Sequence, residues 1–565
     1  MAPARHRRAA LRVAAILLAA LSAALPIRAQ ETAPVRTILD LQPDRREETT
    51  LLPGGGHVRL VALNPAANAW FLLETSAAGT GKTYHLENPD SAEQQVHLAP
   101  GGAASLAITT RTGTEHCAPW QGEAAAAAAS GIPFAPICGG RLYLRNPVKG
   151  SRTNLERITD FLRDHVWKGD EIVSLVKDTL FKDSFIETPQ PAQGTMGAAA
   201  GPRPATVDPA YAGQGIAAVD LGLVLEGRPT GLRQGAWYGV GGLPGIYAAA
   251  IQPKALPRDL LRGPGAAPLD GIEASALDYL VAFDLSRFDL GFALGTDHPQ
   301  VGWSPRVPPA ARDDRLPGPD GIASAAPLVN VGMVSPALAG RVVATFIGGF
   351  KREHGAFKYG EFSQRNHGSH YGFIEQGVVF STLQPGLATL LVLDDGTVSM
   401  KTWTLADAAL LPRIRFARQN GVALVEPGAD GRAGPGRLVA QWGPGNWSGS
   451  AAEQLRTLRG GACLQEDADR RFLIYGYFST ATPSAMARVF QAFGCRYAML
   501  LDMNALEHTY LALYRREHGK LQVEHLIRGM EQLDRATADG ALVPRFIGFP
   551  DNRDFFYLTI RGDVR

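Results

Sequence analysis

The chain alternates short apolar runs with polar stretches rich in glycine and proline, a pattern that predicts many strands and few helices. In residues 30–150 the runs at 57–63, 70–74 and 105–110 predict strands of an N-terminal β domain. The alanine run at 124–129 predicts a surface loop or a weak helix. The period then changes. Leu155, Ile158, Leu162 and Val166 recur on one helical face, Gly169 interrupts, and Ile172, Leu175, Val176 and Leu180 resume the pattern. Residues 151–185 are therefore expected to form a helical hairpin with a structural role, entered through a capping box of Thr153 and Glu156. Residues 186–215, rich in proline and glycine, read as a linker.

From 216 to 565 the strand signals are dense, as in one long C-terminal domain with insertions. Runs at 279–285, 288–294, 342–347 and 422–425 predict strands, and 387–393 with 397–403 predict a hairpin that turns at Asp394-Asp395-Gly396. A run at 472–478 leads into a helix with clear borders. Thr482 caps it, Pro483 takes its first position, and Gly494 suits a left-handed stop. Met486, Val489, Phe490 and Phe493 form its apolar face. A last run at 497–501 delivers Asp502. The expected class is α+β: a β-rich C-terminal domain with an N-terminal β domain and a helical hairpin.

Composition narrows the setting. A length of 565 residues suggests two or three domains, and 45% hydrophobic with 19% charged residues suits a globular protein with a core. Gly 63 and Pro 39 favour a β-rich chain with many turns. With a net charge of +2 nothing argues for a nucleic-acid surface, and no nucleic-acid partner is expected. Arg5, Arg7 and Arg8, an apolar stretch at 13–27 and the small residue Ala29 read as a secretory signal over residues 1–29, with an uncleaved anchor as the alternative. No later segment has the length and apolarity of a membrane helix, so no stable span is expected once the signal is removed. Cys117, Cys138, Cys463 and Cys495 fit an exported protein, periplasmic or secreted. Pairing Cys117–Cys138 and Cys463–Cys495 is the simplest arrangement, other pairings stay open, and the spacings are unlike a zinc site.

A strand, a helix and a strand ending in polar groups can hold chemistry at a sheet edge, which makes Asp502 the leading candidate. Asp502 and Asn504 alternate, so a strand continuing through both would turn them to one face. Asp502 could then act as acid, base or nucleophile, and Asn504 could hold a sugar hydroxyl or a developing negative charge. A strand-end turn in which both bond to backbone is the structural alternative. Gly348 and Gly349, after the run at 342–347, allow close backbone approach to a ligand or simply form a tight turn, without the spacing of a nucleotide motif. Lys351 and His354 follow, and His367 and His370 come later. The histidines match no known metal spacing, so hydrogen bonding to a polar substrate is favoured over a metal or other cofactor. Arg418 with Asn420, and Arg459 before Gly460-Gly461, stand beside apparent strand ends and glycine turns. There an arginine fork can clamp a phosphate or carboxylate, or can lie solvated on the surface.

Taken in order, Phe346-Ile347-Gly348-Gly349-Phe350-Lys351, His354-Gly355, Gly386-Leu387-Ala388-Thr389, Arg418-Gln419-Asn420 and Leu501-Asp502-Met503-Asn504 resemble the phosphodiester glycosidase family, over roughly residues 275–515. Phe283-Asp284-Leu285-Ser286-Arg287-Phe288 and Gly295-Thr296 resemble the opening of its domain. The family includes a lysosomal enzyme that removes N-acetylglucosamine from a phosphodiester on mannose, and many exported bacterial proteins. The resemblance implies a hydrolase acting on a sugar phosphodiester or a related envelope glycan. It places Gly348, Gly349, Arg459 and Asp502 in the pocket. Two positions depart from the family. Ile347 stands where the family usually has asparagine, and Met503-Asn504 replaces its glycine turn, as in a bacterial branch with an Asp-hydrophobic-Asn form. A glycan-binding protein that kept the fold without the catalysis is the rival expectation.

Overall fold

The computed structural model describes residues 37–562, apart from 54, 78–79, 100–103, 155, 159–189, 193–200, 264–265, 304–308, 351–371, 441–455 and 468–469. The expected signal segment, most of the expected hairpin, Lys351, His354, His367 and His370 lie outside the described residues. What is described is mostly antiparallel β-sheet with short helices.

Among the described residues, the N-terminal part holds a six-stranded sheet in the order Arg46–Leu51, His57–Ala62, Trp70–Ala77, Thr80–Glu87, Leu142–Arg145, Phe134–Ile137. A three-stranded sheet, Gln95–Ala99, Ser105–Thr110 and Gly113–Cys117, covers one face. Alternation assigns the faces. Val58, Leu60, Phe71 and Leu73 pack against Val96, Leu106 and Ile108 of the small sheet. Val61, Trp70 and Leu72 turn the other way, into the main core. The alanine run is the helix Glu123–Ala129. The Cys117–Cys138 disulfide closes this part.

The C-terminal part is built on an eight-stranded antiparallel sheet. Its order is Tyr238–Gly239, Ile246–Ile251, Asp278–Asp284, Arg470–Ala481, Thr457–Asp467, Cys495–Met503, Ala423–Pro427, Ala433–Pro435. Tyr279, Val281, Phe283, Leu473 and Tyr475 point to one side. There they meet a five-stranded sheet ordered Phe288–Ala293, Phe555–Ile560, Val342–Ile347, Leu511–Glu517, Lys520–His525. Phe346 bridges the two layers, 5.3 Å from Tyr475 and 6.2 Å from Phe283 between ring centres. Leu280, Ala282, Phe472 and Ile474 point to the opposite side, under the helix Pro483–Ala492. Thr482 accepts a hydrogen bond from the Ala485 N–H at 3.2 Å, and Gly494 takes φ +70°. Cys463 and Cys495 join this sheet and the helix exit as a disulfide. A third sheet runs Val378–Ser381, Phe373–Glu375, Ile414–Gln419, Ala388–Leu393, Val398–Thr402.

Two expectations change. Arg459-Gly460-Gly461 is no turn but part of the strand Thr457–Asp467. The helix packs on Gly461, where a Cβ would come 2.9 Å from Met486 Cε and 3.0 Å from Phe490, whereas a Cβ on Gly460 would meet Asp502 O at 3.2 Å and Tyr475 Oη at 3.3 Å. The later half of the expected linker is laid against the body. Ala205 N–H donates to Gly235 O at 2.9 Å, Thr206 N–H donates to Ala492 O at 2.8 Å, and Gln465 Oε1 receives the Arg203 N–H at 2.9 Å.

Candidate functional site

Five segments reach one end of these sheets, each entering or leaving a strand. They are Gly348-Gly349 after Val342–Ile347, Arg418 to Asn420 at the end of Ile414–Gln419, Asp502 near the end of Cys495–Met503, 295–298 after Phe288–Ala293, and 551–554 before Phe555–Ile560.

Asp502 owes its direction to a bulge. Leu500 pairs with Gly461, but Met503 pairs with Arg459, so the strand Cys495–Met503 carries one extra residue. Before the bulge Leu500 faces the helix and Leu501 the other sheets; after it Met503 faces the helix. Asp502 lies within the irregular stretch, buried, with Oδ2 2.7 Å from Arg553 Nη1. Arg553 is itself buried and shared. Its Nη2 lies 3.0 Å from Glu156 Oε1, and it donates to His508 Nε2 at 2.6 Å. A guanidinium can only donate, so His508 Nε2 is an acceptor. The proton sits on His508 Nδ1, which donates to the Met503 carbonyl at 2.8 Å. His508 is thereby held neutral and in one tautomer.

A second cation lies beside the first. Arg418 is fully buried, donates from Nε to Asp554 Oδ2 at 2.6 Å and from Nη2 to Phe350 O at 2.7 Å, and also bonds to Gln419 O. Its guanidinium lies 4.5 Å from the centre of the Phe373 ring. Gly348 and Gly349 are required here by close approach. A Cβ on Gly348 would collide with the Asp554 carboxylate, and one on Gly349 would come 2.8 Å from both Arg418 Nη2 and Asn420 Oδ1. Asn420 ties the two clusters together. It accepts from Phe350 N–H at 3.1 Å and donates to Leu500 O and Leu501 O at 2.9 and 3.1 Å, just before Asp502.

His298 completes the second cluster. Its Nδ1 is 3.4 Å from Asp554 Oδ1, too far for a sound hydrogen bond, and burial pushes its imidazole down to about 4, so it is neutral beside the acid. Among the described residues neither ring nitrogen of His298 has a hydrogen-bond partner, nor has Asp554 Oδ1 or Asn552 Oδ1. Each such buried group costs about 1–3 kcal/mol, and here they gather at the site.

The expected residues thus divide. Gly348, Gly349, Arg418, Asn420 and Asp502 converge. The Gly348 N–H is already taken by Asp554 O at 2.8 Å, and the Arg418 fork is committed to protein acceptors, so both shape the turn at 348–350. Arg459 lies toward the helix side, donating to Ala481 O at 2.7 Å and to Met503 Sδ at 3.3 Å. Burial pushes its guanidinium down to about 9, opposed by Glu273. Asn504 does not share a face with Asp502. The strand ends at Met503, and Asn504 adopts φ +81° with its Oδ1 bonded to Thr457 Oγ1 at 3.1 Å. Ile347 points into the main core. A solvent-open cleft of about 420 Å³, lined by Lys401, Glu426, Arg471, Arg496 and Tyr497, lies toward the other end of the Cys495–Met503 strand.

Sequence reasoning missed Arg553, Asp554, His298, His508 and Glu156. A usable signal was present at one of them. Asp551-Asn552-Arg553-Asp554 abuts the apolar run at 555–560, the same polar-group-at-a-strand-end pattern that singles out Asp502.

No family model matches the chain, and no curated protein matches it. Among solved structures, a hypothetical protein from Synechocystis aligns over 91% of this chain and 99% of its own at 11% identity, with a TM-score of 0.24. A "Putative exported protein" from Burkholderia pseudomallei K96243 aligns over 94% of this chain and 100% of its own at 13% identity, with a TM-score of 0.19. At those scores neither likeness bears on the fold or the chemistry of this chain.

Proposed function

We propose that the protein is an exported hydrolase that cleaves a sugar from a phosphodiester or acts on an envelope polysaccharide, as its resemblance to the phosphodiester glycosidases suggests. The observation that carries this reading is the convergence of Gly348, Gly349, Arg418, Asn420 and Asp502, far apart in sequence, on one sheet end around two buried arginine–carboxylate pairs. Asp502 is the carboxylate that meets the substrate. Arg553 holds it, and neutral His508 fixes Arg553 from the other side. The two disulfides fit folding in an oxidising compartment, periplasmic or extracellular. Among the described residues no helix is long and apolar enough to cross a membrane.

The test is release of sugar from sugar phosphodiesters by the mature protein. Asp502→Asn should lower turnover by about a hundredfold or more, the scale of a placed acid or base. Absence of turnover in the unaltered protein, with glycan binding unchanged in Asp502→Asn, would sink the hydrolase. A second reading, a glycan-binding envelope protein without catalysis, is favoured by Ile347 in the core where the family has an amide, and by Asn504 turned away to Thr457.

A further inference from the structure

The segment that leaves the N-terminal sheet is fastened beside the site at Gly150, Ser151, Arg152, Thr153 and Glu156. A Cβ on Gly150 would come 2.6 Å from Asn552 N, so the two backbones touch. Ser151 N–H donates to Pro550 O at 2.9 Å, and Asn552 N–H donates to Ser151 O at 3.3 Å. Arg152 Nη2 lies 2.6 Å from Asp297 Oδ2. Thr153 Oγ1 is 3.2 Å from Glu507 Oε1 and accepts the Glu156 N–H at 3.1 Å, which starts the helical turn. That turn aims Glu156 inward. Its carboxylate is almost wholly buried, accepts from Asn552 Nδ2 at 2.9 Å and lies 3.0 Å from Arg553 Nη2.

We propose that Glu156 is a positioning residue for Asp502, acting through Arg553, and that residues 150–153 together with Glu156 are a strap by which the N-terminal part sets the geometry of the site. This deepens the proposed hydrolase, since it names what holds that site's carboxylate. Arg553 is held by two carboxylates, Asp502 and Glu156, and by His508. Two carboxylates share one cation, so Asp502 is oriented without taking the whole positive charge. Without Glu156 the guanidinium loses one of its two carboxylate anchors and gives Asp502 a larger share of its charge. The Asp502 carboxylate would then be both misplaced and less basic.

The test uses the full mature chain in Glu156→Ala and Glu156→Gln forms, each first checked for native unfolding behaviour. The readouts are turnover of a sugar phosphodiester against pH and the ¹⁵N signals of histidine-labelled protein, with His508 assigned by difference from His508→Gln. Glu156→Ala should shift the His508 Nε2 signal toward that of an imidazole with no donor on it. It should also lower turnover by about a hundredfold, the cost of ångström-scale misplacement. Glu156→Gln keeps the acceptor oxygen and loses the charge. It should restore the His508 signal while moving the acid limb of the turnover profile to lower pH. A folded Glu156→Ala protein with the His508 signal and turnover unchanged would overturn the strap. If the unaltered protein shows no turnover, the hydrolase reading fails by itself, and the His508 signal still decides whether Glu156 positions Arg553.

Discussion

The pair Arg418–Asp554 is the feature whose removal should be felt most, and its cost can be worked out from the contacts. Both side chains are fully buried and meet at 2.6 Å. Asp554→Ala leaves a buried guanidinium without its counter-ion, a change worth about 3–5 kcal/mol. Arg418→Met strands the carboxylate and also removes the donors to Phe350 O and Gln419 O, so it should cost at least as much. The double variant strands neither charge. Its cost should fall short of the sum of the two singles by up to about 3 kcal/mol. Urea unfolding of the mature protein, followed by tryptophan fluorescence, measures all three. Single costs below about 1 kcal/mol, the range of exposed ion pairs, combined with additivity in the double variant, would refute the reasoning.

Other outcomes follow from single contacts. Gly349→Ala should destabilise by about 1–3 kcal/mol, because its methyl would lie 2.8 Å from Arg418 Nη2 and Asn420 Oδ1; an unaltered unfolding midpoint would show that the turn can yield. Burial pushes the Glu375 carboxyl up to about 7 from 4.5, so between those values the folded chain keeps a proton that the unfolded chain has released, and stability falls as pH rises through that window. Glu375→Gln removes that loss and should gain on the unaltered protein by about 3 kcal/mol between about pH 4.5 and 7, levelling off above; a constant difference across the window would contradict the raised value. Replacing Cys463 and Cys495, 32 residues apart, with alanine should cost about 3–4 kcal/mol by the loop-entropy estimate, read as a lower urea midpoint, and a midpoint within error of the parent would count against it.

Much of the fold was legible because its signals are local. The strand Val342–Ile347 was expected at those residues, and the helix Pro483–Ala492 declared both ends through Thr482, Pro483 and Gly494. The strand Thr457–Asp467 was not legible, because Gly460-Gly461 reads as a turn until one knows that Met486 and Phe490 press on Gly461. The site divides in the same way. Asp502 follows an uninterrupted apolar run and is visible from it. Whether Asn504 shares its face depended on where the strand ends, and beyond Met503 Asn504 turns to Thr457 on the neighbouring strand. Glu156 looked like half of a helix cap. Its Thr153 bond does form, but the carboxylate goes to Arg553, nearly four hundred positions along the chain, a separation no local pattern encodes.

Arg553 and Asp554 are consecutive, yet one grips Asp502 and the other grips Arg418. The two ion pairs of the site are thus anchored on neighbouring residues of one backbone segment, with opposite charges side by side. A change in the path of residues 551–554 reaches both pairs at once. A substitution tolerated at one residue of this dipeptide is judged by the fit of the other, so the pair would be expected to change together or not at all.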